Sequence, residues 1–250
     1  MNIAYDPQVG PLAIQPLETT VTTEHPAERI GADETSFQKR HEYVTVVTDL
    51  DRGVVLYVAD DRKQGSLDAF FGGLGSAARE AIEVVCMDMW QPYVNATRRH
   101  VLDADTKIAF DKFHVAKHLS DAVDQVRRQE HKALRSMGDE RLARTRYFWL
   151  ENPERMSEER WIDFQPLRQS ALKTARAWAI KELAMTLWGY VRRGWALKAW
   201  RRWLSWAKRC RLAPVKRVAK TIEEHLWGIV NAIVLRTTNA AAEGMNAKIQ

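Results

Sequence analysis

Apolar positions fall in short, β-rich runs over the first part of this chain and at helical spacing over the rest. Arg29-Ile30-Gly31-Ala32-Asp33-Glu34 is small-residued, ends in two acids and predicts a first central strand. Residues 42–50 alternate around Tyr43, Val44, Thr45, Val46, Val47 and Thr48, and 54–59 is a second such stretch. The turn signal Asp49-Leu50-Asp51-Arg52-Gly53 between them predicts an antiparallel pair. Ser66 is placed to cap a short helix that holds Leu67, Phe70, Phe71 and Leu74 and ends at the glycines around 72–75. Val84, Val85, Cys86 and Met87 form the unbroken run of a strand covered on both faces. That strand hands over at Asp88 to a helix over 92–100, with Pro92 in its first turn, and 106–111 predicts a fifth strand.

The order β-β-β-α-β-α-β predicts an α/β fold with a mixed sheet, and it is the element order of an RNase H-like domain. Past Asp111 the pattern is helical. Val115, Leu119, Ala122, Val123 and Val126 mark a helix over 113–138, and Leu142, Tyr147, Phe148, Trp149 and Leu150 continue the helical reading. Pro153 and Pro166 interrupt, 167–211 reads as one long helical stretch ended by Pro214, and 215–235 as another helix. Thr237-Thr238-Asn239-Ala240-Ala241-Ala242-Glu243 reads as a cap and the start of a last helix. Four parts are expected: a proline-containing extended leader over 1–28, a core over 29–112, a large all-α insertion over 113–236, and a final core helix over 237–250. That last helix has no stop signal before Gln250, so the chain is expected to be a truncated form.

Composition changes this picture in one respect. Residues 1–150 carry 19 Lys and Arg against 23 Asp and Glu, whereas 151–250 carry 19 against 9. The second half is therefore strongly basic, which suggests a polyanionic partner; a solvated helical surface is the plainer reading. Within 171–220 there are fourteen basic residues and one acid, Glu182, interleaved with Trp178, Trp188, Trp195, Trp200, Trp203 and Trp206. The spacing of Ala196, Trp200, Trp203 and Ala207 marks a core-facing stripe. Arg192, Arg193, Arg201, Arg202, Lys208 and Arg209 are left as candidates for phosphate contact on the other faces. A membrane-surface helix is the weaker alternative. No run of 18 apolar residues suggests a membrane span, and two cysteines, Cys86 and Cys210, suggest a reducing cytoplasm rather than a disulfide framework.

Asp33, Asp88 and Glu243 are the acids placed at strand ends or at a helix start. Singly, each could be a turn residue, a cap or a first-turn glutamate favoured by the helix dipole. Together they suit Mg²⁺, a hard ion that takes carboxylate oxygens and assists displacement at phosphodiesters. Glu34 and Asp111 compete for a place on the metal, whereas Asp49 and Asp51 read as turn formers. His114 and His118, at i and i+4, have a spacing known from zinc sites but lack a third ligand, which favours hydrogen-bonding or DNA-phosphate roles.

Several stretches, in this order, resemble the ISL3 family of transposases. They are 31–43 with Thr48-Asp49-Leu50-Asp51; Met87-Asp88-Met89-Trp90-Gln91-Pro92-Tyr93; 110–119, beginning Phe110-Asp111-Lys112-Phe113-His114; and 239–249, containing Ala242-Glu243-Gly244-Met245-Asn246. The resemblance covers about residues 29–250. It implies a DDE-type transposase domain of an insertion sequence, with an RNase H-like core in which Asp33, Asp88 and Glu243 are catalytic and hold Mg²⁺, or Mn²⁺ in its place. It further implies DNA cleavage and strand transfer at transposon ends and target DNA, in a bacterial, nucleoid-associated cytoplasmic setting. Association with further copies or with full-length transposase is implied as well. The family's N-terminal zinc-binding and helix-turn-helix modules have no counterpart here, so the alternative is a truncated, catalytically inactive DNA-binding remnant.

Overall fold

The computed structural model describes residues 26–36, 43–61 and 63–238. The leader before Pro26 and the predicted last helix from Asn239, including Glu243, lie outside the described residues. Strands β1 (Arg29–Ser36), β2 (Tyr43–Asp49) and β3 (Val54–Ala59) form an antiparallel set. Strands β4 (Val84–Met87) and β5 (Ile108–Phe110) add in parallel on the other side of β1. The result is one five-stranded mixed sheet ordered β3-β2-β1-β4-β5. β4 and β5 are buried at every position, as an unbroken apolar run requires of strands covered on both faces.

Helices α1 (Gln64–Gly73), α2 (Ser76–Glu80) and α3 (Gln91–His100) precede and follow β4. A one-turn helix, α4 (Ala104–Lys107), leads into β5. The predicted fifth strand therefore starts late: Asp103 turns the chain with φ 54°, and the Thr106 hydroxyl donates back to the Asp103 carbonyl. Ser66 does not cap α1, which begins two residues earlier; its hydroxyl bonds the Asp61 carboxylate instead. Asp49 acts as the turn former expected, its Oδ1 accepting from the backbone N–H groups of Asp51 and Arg52 at 2.9 and 3.0 Å.

The rest of the described chain is helical: α5 (Lys112–Arg135), α6 (Arg146–Leu150), α7 (Glu158–Arg168), α8 (Lys173–Thr186), α9 (Arg193–Arg209), α10 (Ala213–Glu224) and α11 (Leu226–Leu235). Two expected breaks fall elsewhere. Pro166 lies inside the last turn of α7 without ending it, at the loss of one backbone bond to the Ile162 carbonyl. Pro214 opens α10 rather than ending α9, which stops at Arg209 before Arg211 turns with φ 59°. The long stretch 167–211 is divided by a 3₁₀ turn at Leu187–Gly189, and 215–235 by His225, where α10 gives way to α11.

A large apolar core runs from the sheet into these helices, and a smaller cluster of Val84, Ala109 and Ala232 lies between the sheet and α11. Phe164 meets the rings of Trp149 and Trp178 edge-on at 4.8 and 5.2 Å, and Trp203 donates its indole N–H to the Ile180 carbonyl at 2.8 Å. The Glu130 carboxylate of α5 accepts from the N–H groups of Lys173 and Thr174, both at 2.7 Å, and so caps α8 from a distant helix. At the β5 edge, Asn231 of α11 donates to the carbonyls of Ile108 and Asp105 at 2.7 and 2.8 Å. Helix α11 thus covers an edge that would otherwise present unpaired backbone.

Gly228 lets α11 lie this close. A Cβ there would overlap the Phe110 ring, whereas one at Gly194 would meet open space. Gly228→Ala should therefore lower the urea midpoint, overpacking costing about 1–3 kcal/mol against a helix-propensity gain of about 1 kcal/mol. Gly194→Ala should leave the midpoint unchanged or raised; equal effects of the two would contradict this packing.

Candidate active site

The parallel register of β1 and β4 pairs Ala32 with Met87, so the next residues, Asp33 and Asp88, leave the pairing at the same level. Asp33 is not at the end of its strand as the sequence suggested. β4 stops at Met87, but β1 continues to Ser36 because β2 still pairs with it. Asp33 is buried, and its Oδ1 accepts from the Glu34 N–H at 2.8 Å. Asp88 is more open, its Oδ1 accepting from the Met89 N–H at 2.5 Å.

Helix α5 enters this place from β5. Asp111 is fully buried and caps α5 by accepting from the Phe113 N–H at 3.3 Å. The first turn of α5 then presents His114 between the two acids. Nε2 lies 3.7 Å from Asp33 Oδ1, and Nδ1 lies 3.6 Å from Asp88 Oδ2. One imidazole thus spans the gap between two carboxylates, one on β1 and one just past the end of β4. Burial alone would lower its pKa; the contact with Asp33 and the charges of Asp88, Asp33 and Asp111 outweigh burial and raise it to about 9. The positive end of the α5 dipole favours the two carboxylates but opposes the imidazolium.

Glu34 follows Asp33 on a strand and so points to the opposite face of the sheet, the face shared with its register partner Thr45. His118 is exposed beside a different cleft, lined by Asp121, Asp124, Arg128 and Arg217. The i, i+4 histidine pair therefore does not act on one ligand. Among the described residues no group of three or more His, Cys, Asp or Glu side chains is arranged to hold a metal ion. The donor chemistry of Asp33 and Asp88 nevertheless suits a hard divalent cation, since both offer carboxylate oxygens from one level of the sheet.

The chain leading towards position 243 starts close by. Thr237 is buried with its side chain against the Cys86 thiol, two residues before Asp88. Burial, and after it the charge of Asp111, pushes that thiol well above its ordinary pKa, which marks Cys86 as an inert core residue. Lys112 and Arg236 line an adjoining cleft of about 350 Å³ with Trp188, Tyr190 and Val191.

The six basic candidates fare unequally. Arg192, Arg201, Arg202 and Arg209 are exposed. Arg193 is exposed too, but its guanidinium donates to Asn231 Oδ1 at 2.7 Å, and Lys208 is paired with Glu223.

Sequence reasoning did not find His114 as the group between the acids. The signal available was its position three residues after the capping Asp111, which fixes it in the first helical turn. In metal-free buffer, His114→Gln should be less stable than the parent at pH 6. An imidazolium held at a pKa above 6.5 contributes fully below 6.5, and that contribution is lost as pH rises through about 9. The gap in urea midpoint should close across that window; a gap that stays constant from pH 6 to 10 would contradict the pairing.

The ISL3 family profile, described as "Transposase", matches residues 30–250. The transposase for insertion sequence element IS1001 of Bordetella parapertussis is 27% identical, over 89% of this chain and 55% of its own length. The transposase for insertion sequence element IS1557 of Mycobacterium tuberculosis is also 27% identical, over 89% of this chain and 54% of its own. The chain thus spans about half the length of these curated relatives. No solved structure matches.

Proposed function

The chain belongs to the ISL3 transposase family, and we propose that it carries the catalytic part of an insertion-sequence transposase of the DDE type. In this reading residues 29–112 and 237–250 form an RNase H-like core, and 113–236 are an α-helical insertion. The reading is supported by a sheet with three antiparallel strands followed by two parallel ones, ordered β3-β2-β1-β4-β5. The observation that carries it is the meeting of Asp33 and Asp88, fifty-five positions apart in sequence, across one imidazole.

Asp33, Asp88 and Glu243 would hold Mg²⁺, or Mn²⁺ in its place. Bound there, such cations would supply Lewis-acid chemistry for the attacking and leaving oxygens of a phosphodiester, with water and then a DNA 3′-hydroxyl as nucleophile. The protein's part is positioning. The β1–β4 register sets the two aspartates at one level, and their backbone hydrogen bonds from Glu34 and Met89 orient the carboxylates. His114 holds a proton between them in the metal-free chain and keeps the pair from repelling. Lys112, Arg236 and the exposed arginines of α9 supply positive charge for the DNA backbone, which contributes affinity without sequence choice.

No described helix is long and apolar enough to cross a membrane. Nicking of supercoiled plasmid with Mg²⁺ or Mn²⁺ tests the proposal. Asp33→Asn, Asp88→Asn and Glu243→Gln should each reduce cleavage by about 10²–10³-fold, the size of loss seen when one charge-stabilising group is removed from an active site. Pairs should lose little more than single variants, because the acids act as one unit. Metal-dependent cleavage that survives Asp88→Asn would overturn the assignment, and DNA binding without cleavage under either metal would favour an inactive remnant.

A further inference from the structure

Helix α9 has two faces of opposite character. Ala196, Trp200, Trp203, Leu204 and Ala207 are buried in the helical core. Trp195 and Trp206 are not; they are 57% and 36% exposed. Counting about 100° per residue, positions 195, 198, 202, 206 and 209 fall within a sector of about 80°. The outward stripe therefore reads Trp195, Lys198, Arg202, Trp206, Arg209, with rings and cations interleaved. Helix α9 contains no acidic residue, and among the described residues none of Lys198, Arg201, Arg202 and Arg209 is in a salt bridge. Lys198 Nζ lies over the Trp195 ring at 5.4 Å. A shallow groove of about 580 Å³ runs beside the stripe, lined by Gly194, Leu197, Lys198, Arg201, Arg202 and Ser205.

Single exposed apolar side chains are ordinary on protein surfaces. Two indoles on one stripe, separated by unneutralised cations, are a different arrangement. A second copy docked face to face would bring like charges together, and a membrane would need the apolar face that α9 already buries. A ligand with planar apolar faces on a regularly charged anionic backbone meets both demands. Duplex DNA hides its base faces; unpaired DNA exposes them. The two rings are about 16 Å apart along the helix, so they would take separate bases of one strand.

We infer that this outward stripe of α9 binds unpaired DNA, with Trp195 and Trp206 stacking on bases while Lys198, Arg202 and Arg209 contact the phosphates between them. The inference rests on the DNA contact proposed above and adds to it a preference for strands whose bases are open.

The test is fluorescence anisotropy of the full chain with a labelled oligothymidylate and with a blunt duplex of the same length. Trp195→Ala and Trp206→Ala should each weaken single-strand binding by about 5- to 150-fold, the range measured for one base–aromatic stack. Duplex binding should change less than about twofold, and Trp195→Phe should retain most single-strand affinity because a stacking ring remains. Arg202→Ala should weaken both DNA forms and lower the salt dependence, by about 0.7 in logarithmic slope for the single strand. If the tryptophan variants leave single-strand binding unchanged, or weaken both forms equally, the inference fails while the DNA contact stands. If neither form binds the parent chain, both fail. A parent that sediments as a dimer and a Trp195→Ala/Trp206→Ala double variant that sediments as a monomer would overturn it in favour of self-association.

Discussion

Two carboxylates set side by side at the edge of a protein interior repel each other, and everything around Asp33 and Asp88 follows from that repulsion. At the effective dielectric of a protein surface, like charges cost about 4 kcal/mol at about 4 Å and proportionately less as they stand further apart. Such a pair persists only where positive charge lies between or beside it. In this chain that charge comes from His114, from the N-terminal end of α5 and, in the proposed working state, from a divalent cation. The same balance explains why an imidazole that burial should discharge is held protonated to about pH 9.

The helical half keeps this balance in place. Helix α5 is fixed at one end by Asp111, which follows β5, and along its length by packing against α8, whose N-terminus it caps through Glu130. Helix α11 locks onto β5 through Gly228 against Phe110 and through Asn231, which also takes a hydrogen bond from Arg193 just before the exposed face of α9. Thr237, against Cys86 on β4, brings the chain back to the sheet a few residues before Glu243. The helices therefore do two things: they hold the histidine against the acids, and they return the chain to where the third acid is expected.

How much of this was legible in the sequence depended on the range of the interaction that decides it. The β4 run and its stop at Asp88 could be read because burial on both faces leaves an unbroken apolar signature. Thr106 and Lys107 misled because one helical turn closed by a left-handed Asp103 leaves no periodicity to detect. Asp33 and Asp88 could be suspected from their places in the chain, but their equal level depends on a parallel register that no local pattern encodes. His114 was paired with His118 by spacing, whereas tertiary approach gives each a different neighbourhood. In α9, periodicity separated buried Trp200 and Trp203 from the rest. Composition alone could not show that Arg193 and Lys208 are engaged while, among the described residues, Arg201 and Arg202 are in no salt bridge.

The most direct test of the central claim is to load the full chain with Fe²⁺ in place of Mg²⁺, add a thiol reductant under oxygen, and map the backbone cuts made by locally generated radicals. Convergence of the three acids on one cation predicts cuts beside residues 33, 88 and 243 in the same molecule, all lost together in Asp88→Asn. Cuts confined to one of these segments, or cuts at 243 that persist in Asp88→Asn, would contradict it.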